Sequence, residues 1–312
     1  TTNTQIDTIN VLTEASTANV SDYILLQQGS ISKKITKNNF LKEINNYLDN
    51  LKVGGGKNLL INGNFDIWQR GTSHSGNGYG SVDRFRYSSY GSSSNLTRQS
   101  FTIGQTAVPN NPKYFTRHTV TSIVGSYNRA RFEQRIEDVD KFSGSTLTLS
   151  FWAKADTVKD IAVEFVQNFG SGGSAQVTSI GVQKFTLSTV WQKFTRTVTL
   201  PSVNGKVINS GDHVGVNFWF DAGSDLNART NTLGQQSGTF DIAQVQVGRG
   251  NVANMFDIRE FTEEFRLCQR YYWQLDSLEF FNHGTTIYPT KMRATPTVTY
   301  NIQSGNGSID EV

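Results

Sequence analysis

The sequence has a single cysteine, Cys268, so no disulfide can close within the chain, and it has no CxxC or Cys/His cluster that would hold zinc. The fold must therefore stand on packing, for which 312 residues give room in one large domain or two. No run of about 18 apolar residues occurs, and the first thirty residues lack both a basic start and an apolar core. Neither membrane insertion nor a secretory signal is expected, and the chain reads as soluble and made in a cytoplasm. Charge of one sign is also missing. The 29 basic and 26 acidic residues leave a net charge of +3, without a basic run that could track a phosphate backbone, which argues against a nucleic-acid partner.

Catalytic signatures are equally scarce. There is no GxSxG, no HExxH and no phosphate-cradling glycine loop. The four histidines, at 74, 118, 213 and 283, are isolated and read as surface or turn residues. A glycosidase needs two carboxylates at a defined separation, and the acidic residues here are too scattered for any pair to be nominated. The expectation is a protein that is not an enzyme.

What the chain does have is 28 glycines, 20 phenylalanines and abundant Ser, Thr and Asn, the composition of short strands joined by turns. The rhythm supports this. STLTLSFWAKA sets Leu147, Leu149, Phe151 and Ala153 against Thr148, Ser150, Trp152 and Lys154. DIAVEFVQ puts Ile161, Val163 and Phe165 on one face, and HVGVNFWFDAG buries Val214, Val216, Phe218 and Phe220 while turning His213, Asn217, Trp219 and Asp221 outward. NRARFEQRIED separates Ala130, Phe132, Gln134 and Ile136 from Arg129, Arg131, Glu133, Arg135 and Glu137. WQKFTRTVTLP alternates Phe194, Val198 and Leu200 before stopping at Pro201. Alternation with one wet face predicts antiparallel sheets packed as a β-sandwich over residues 57–258.

Two flanking regions break this period. In residues 1–56, YILL and the alternation Ile31, Lys33, Ile35 around QQGS predict a hairpin. TKNNFLKEINNYLDNL then predicts a helix whose stripe is Leu41, Ile44, Leu48 and Leu51. A stripe so narrow suits a seam between chains, and packing on the neighbouring hairpin suits it equally. Gly54, Gly55 and Gly56 form a joint to the body. In residues 259–312, REFTEEFRLCQRYYWQL recurs at helical spacing through Phe261, Phe265, Cys268, Tyr272 and Leu275, predicting a closing helix with a buried, unreactive Cys268. TTIYPTKMRATPTVTYNI then returns to strand character, as the start of a further β segment.

Several stretches taken together, NLLINGNFDIWQRG, VDRF, FEQRIEDVDKFSGSTLTLSFWAKAD, VWQKFTRTVTLP, DIAQVQVGRGNVANMFDIREFTEEFRLCQRYYW and MRATPTVT, resemble in their order the plan of bacteriophage tail fibre proteins whose bodies look like jelly-roll carbohydrate-binding modules. The resemblance spans roughly residues 57–300, and residues 1–56 resemble more loosely the segments by which such fibres attach to a virion. It departs at Gln246–Val247–Gly248–Arg249–Gly250, where the family usually has Gln-Leu-Glu-x-Gly, so no carboxylate role carries over there. The resemblance implies a homotrimer in the virion tail, attached to other tail or adaptor proteins by its front segment and presenting its body to a host-surface glycan. The alternative is a structural adaptor, spacer or decoration protein that binds nothing.

A sugar site combines an aromatic platform with amides, carboxylates or guanidinium groups. Trp152, Trp219, Asn217, Asp221, Glu164 and Arg131 all fall on the faces opposite the core and form the candidate glycan groove, on the condition that their strands share a sheet; the alternative is that the outward tryptophans are covered by a loop or a neighbouring chain. Trp68 reads as structural, while GTSHSGNGYGSVDRFRYSSYGSSSN reads as a long loop carrying Tyr79, Tyr87 and Tyr90. No cofactor is expected. Modules of the resembling type often hold a structural calcium near the opening strand, for which Asn64, Asp66 and Asp241 are the contributing side chains on offer; the sequence does not decide whether the ion is held.

Overall fold

A computed structural model describes residues 57–274 and 289–297, together with the backbone of two strands, β1 (Tyr23–Gln28) and β2 (Ile31–Thr36). The predicted seam residues Leu41, Ile44, Leu48 and Leu51 lie outside the described residues. The chain divides into two compact units, Thr1–Lys57 with Asn254–Asp257, and Asn58–Ala253 with Ile258–Val312. In the first unit β1 and β2 pair antiparallel from Tyr23↔Thr36 to Gln28↔Ile31, the hairpin expected of QQGS.

The second unit is an antiparallel β-sandwich of jelly-roll type. One sheet has five strands in the order β10 (Val177–Leu187), β9 (Lys159–Asn168), β12 (His213–Ala222), β7 (Arg129–Glu137) and β4 (Phe85–Tyr90). The other has six, ordered β11 (Gln192–Thr199), β8 (Thr146–Ala155), β13 (Gly238–Arg249), β6 (Tyr114–Thr121), β5 (Ser93–Ser100) and β3 (Ser73–His74). The period-two alternation sorts side chains as expected, and the inner faces meet in one aromatic-rich core. Phe85 stacks on Phe132 at 4.7 Å, and Phe151 meets Phe218 edge-on at 5.1 Å.

Two expectations are corrected. The Gly/Ser-rich stretch before residue 95 is a loop only in part: β3, β4 and the start of β5 lie within it, and Tyr87 points into the core, whereas Tyr79 and Tyr90 are exposed. His118 is no surface residue. It is fully buried between Tyr87, Phe132 and Phe220, because β6 lies inside its sheet and presents it to the core. Of the stretch read as the start of a further β segment, residues 289–297 carry no strand, and the rest lies outside the described residues.

The opening segment is locked by asparagines. Asn58 donates through Nδ2 to Val245 O and accepts the Leu60 and Val247 amides at Oδ1. Asn62, held at φ 62°, donates to Ile67 O and Asp83 O and accepts the Ile67 amide. Immediately after Asn62, Gly63 is required by close approach, since a Cβ there would stand 2.1 Å from Val245 O. Trp68 is buried beside this turn and donates to Phe65 O, as a structural residue should.

The closing helix, α2 (Phe261–Gln269), exists and buries Cys268 as expected, but it is shorter than its periodicity suggests and its inward face is shifted toward Glu264. Glu264 and Cys268 are buried while Phe261 is 60% exposed. The reason is polar. Glu264 accepts the Asn62 amide at 2.6 Å and pairs with Arg259, whose guanidinium also donates to Leu60 O, so the ion pair fixes the helix register. Tyr271 and Tyr272, just beyond α2, sit under the guanidinium groups of Arg84 and Arg70.

Candidate functional site

The outer face of the five-stranded sheet carries polar side chains in cross-strand rows. Pairing of β7, β12 and β9 aligns Arg135 with Gly215 and Val166, Glu133 with Asn217 and Glu164, and Arg131 with Trp219 and Ala162. Two loops rise beside the first row. Residues 169–176 and 202–212 are tied together by Asn209 N to Phe169 O, Ser171 N to Ser210 O and Ser174 N to Val207 O. They enclose a groove of about 360 Å³ lined by Arg131, Glu133, Arg135, Val166, Asn168, Gln176, His213, Gly215 and Asn217, with Gly170, Ser171, Ser210 and Gly211 at its rim. Gly215 opens its floor, because a Cβ there would press into Val166 at 2.6 Å.

At the other end of this face the surface is closed. A 3-10 turn (Ser224–Leu226) runs into the short helix α1 (Asn227–Thr230), and Leu226 and Leu233 pack on Trp219 with Ala162 and Ala222. Trp219 is therefore wholly buried, although it points away from the main core as its alternation requires. Glu164 is buried too. Its carboxylate accepts Asn217 Nδ2 at 3.0 Å, Trp219 Nε1 at 3.3 Å, the Ser179 amide at 3.0 Å and Arg229 Nε at 3.0 Å. Asp221, also fully buried, accepts Ser92 Oγ, Ser122 Oγ and the Gln236 amide, tying three loops at the end of the sandwich.

The six residues expected to form one aromatic glycan platform are thus divided. Arg131 and Asn217 line the groove. Trp219 and Glu164 face the right way and are covered, while a bulge between Trp219 and Asp221 shifts the register so that Asp221 lies opposite the core residue Ala130; none of the three offers a surface to a ligand. Trp152 belongs to β8, in the six-stranded sheet, on the opposite outer face beside Lys193 and Ala243. No tryptophan lines the groove. The walls from 168–176 and 210–211 were missed at the level of sequence. Their Gly/Ser clusters, NFGSGGS and NSGDH, mark them as turns, but only the β9–β12 pairing makes them neighbours.

The electrostatics of the groove are lopsided. Glu133 is shared by three guanidinium groups, Arg135 at 2.8 Å, Arg131 at 2.9 Å and Arg86 at 3.4 Å. Burial by itself would raise the Glu133 carboxyl, but Arg131, Arg135 and Arg86 together outweigh it and hold it below the ordinary glutamate value. For Arg131 burial dominates, and with repulsion from Arg229 and Arg86 it pulls the guanidinium below its usual value, against the attraction of Glu133 and Glu164. Arg131 Nε and Asn217 Oδ1 are buried without a hydrogen-bond partner. His213 donates through Nδ1 to Gly211 O, 2.9 Å away, and burial lowers its pKa.

The proposed calcium contributors do not converge. Both Asp241 oxygens are taken by Arg117 at 2.8 Å, with Lys154 at 3.6 Å, a cationic setting that disfavours a metal ion. Asp66 instead accepts Asn64 Nδ2, and burial raises its carboxyl pKa. No group of three or more His, Cys, Asp or Glu among the described residues is placed to hold a metal.

Comparison with known proteins shows no family for this chain. No family model matches the sequence, and no curated protein does. Among solved structures, the enzymatically active domain of tailspike protein 4 from bacteriophage CBA120 is similar over 62% of this chain, at 15% identity and a TM-score of 0.38, the match covering 21% of that chain. A family 4 carbohydrate-binding module is similar over 61% of this chain and 98% of its own, at 20% identity and a TM-score of 0.34. A family 11 carbohydrate-binding module of the Clostridium thermocellum cellulase Lic26A-Cel5E is similar over 58% of this chain and 96% of its own, at 11% identity and a TM-score of 0.35.

Proposed function

We propose that this chain is a virion structural protein, a tail fibre whose front segment attaches to tail or adaptor proteins and whose sandwich recognises a glycan on the host surface. The observation that carries the glycan reading is the groove on the five-stranded sheet, where Arg131, Arg135, Asn217, Asn168, Gln176 and His213 surround a cleft opened by Gly215. Such a density of amide and guanidinium groups suits a hydroxyl-rich ligand. The assignment to a phage rests on the sequence resemblance in residues 57–300.

The groove is read as a binding site without turnover. A general acid needs a raised pKa, whereas the only carboxylate lining the groove, Glu133, is held low by its three arginines. In this reading residues 1–56 knit three copies into a homotrimer through Leu41, Ile44, Leu48 and Leu51.

A glycan array probed with the intact chain tests the first part, with Ser210→Trp as the blocked variant, since Ser210 is exposed at the groove rim and tolerates a bulky side chain. Binding lost in that variant is the expected result. Absence of binding to every glycan and to host envelopes favours the spacer or decoration role instead. Sedimentation at micromolar concentration tests the second part: a trimer disrupted by Leu48→Asp is expected, and a monomer for both proteins overturns it. Immunogold imaging of particles is expected to label the tail.

A further inference from the structure

The groove has more positive charge than its own carboxylates can neutralise. Arg229 is paired one to one with Glu164 at its closed end, which leaves Glu133 to serve Arg86, Arg131 and Arg135. Four guanidinium groups thus meet two carboxylates in this cluster, and the groove lining itself sets Arg131 and Arg135 against Glu133 alone, a surplus of one positive charge. Arg131 is largely covered and its Nε lacks a partner, while the Arg135 side chain is 39% exposed. The lining also has no aromatic ring other than the His213 imidazole.

These observations constrain the ligand. Neutral sugars are commonly gripped by stacking their C–H faces on Trp or Tyr, and no such surface is offered here. A carboxylate, by contrast, matches the planar fork of a guanidinium and would relieve the mutual repulsion of Arg86, Arg131 and Arg135. We infer that the groove selects an acidic glycan, a saccharide bearing a carboxylate such as a uronic or sialic acid residue, which Arg135 meets at the opening and Arg131 supports from below. Asn217, Asn168 and Gln176 would then read the neighbouring hydroxyl groups. This inference rests on the glycan-binding reading and names the class of sugar within it.

The test uses the intact chain against matched pairs of immobilised polysaccharides: polygalacturonate, alginate and polysialic acid, each beside its carboxyl-reduced or methyl-esterified form, with a sulfated glycan as a further anion. The expected result is binding to at least one carboxylated member, weaker by about tenfold or more once its carboxyl groups are removed, and weakened again by added salt. Arg135→Gln should remove the preference, and Arg135→Lys should keep part of it, because charge survives where the fork geometry is lost. Circular dichroism and melting temperature, expected to be near wild type for this partly exposed side chain, show that the variants are folded.

Equal binding to the neutral forms, abolished by Ser210→Trp, overturns the acidic class and leaves the groove as a glycan site. Preference for the sulfated member over all carboxylated ones overturns the carboxylate assignment. Carboxylate-dependent binding unchanged in Arg135→Gln overturns its location in this groove. No binding to any member overturns both this inference and the glycan reading beneath it.

Discussion

The guanidinium of Arg229 lies over the indole of Trp219, its Cζ 4.9 Å from the ring centroid, while its Nε donates to the Glu164 carboxylate at 3.0 Å. One side chain from α1 thereby closes the end of the sheet face that would otherwise expose a tryptophan. Arg131 approaches the same ring at 5.1 Å from β7. The cluster is a small second core, and its members hold structure where a sugar platform was expected.

Substitution there should report as stability. Trp219→Ala is expected to cost about 3–5 kcal/mol, the usual range for emptying a large buried aromatic site, measured by urea denaturation. Arg229→Met should cost a comparable amount by leaving the fully buried Glu164 charge without its cation. The double variant Glu164→Gln/Arg229→Met should recover part of that loss. A near-neutral Arg229→Met would show the pair to be energetically idle.

His118 should make the fold sensitive to acid. Its burial among three aromatic rings pulls its pKa from 6.5 to about 3. The unfolded chain therefore binds a proton at higher pH than the folded one, and stability is full above pH 6.5 and declines as pH falls toward 3, by up to about 1.4 kcal/mol per unit from this group. His118→Phe keeps the stacking and removes the titration. Its melting temperature is expected to fall less steeply than wild type between pH 6.5 and 4; parallel curves would refute the assignment.

Cys268 should be inert in the native protein. It is 1% exposed, and burial raises its pKa, so little thiolate forms and little of it is reachable. A colourimetric thiol reagent is expected to titrate no thiol under native conditions and one in guanidinium chloride. Rapid native labelling would mean that α2 opens readily.

Two glycines give a paired control. Gly63→Ala drives a Cβ into the Val245 carbonyl at the bulge of β13 and should destabilise by about 2 kcal/mol or more. Gly248→Ala meets open space on the same strand and should be close to neutral. Equal melting temperatures for the two variants would show that the opening segment can retreat from β13.

The sequence was most informative where a local rule was sufficient. Alternation in β7, β8, β9 and β12 up to Trp219 assigned inner and outer faces correctly, since successive side chains of a regular strand point to opposite sides; the bulge before Asp221 breaks that rule. It could not tell that an outer face was covered. Trp219 was legible as outward, and its burial depends on α1, whose residues Asn227–Thr230 carry no sign of where they will land. The face of α2 was misread for a related reason: hydrophobic spacing pointed to Phe261, and the Glu264–Arg259–Asn62 contacts, remote in sequence, outweighed it.

By itself, then, the sequence determined the sandwich, the inward residues of its regular strands and the polar character of its outer faces, because the period of a strand is set by its own covalent geometry; it did not reveal Tyr87 and His118 as core residues. Only the tertiary structure decided which strands are neighbours, and hence that Arg131 and Arg135 converge on Glu133 beside Gly215, while Trp152 lies on the other sheet. Pairing order is a contest among long-range contacts separated by up to a hundred residues or more, and no short stretch of sequence holds its outcome.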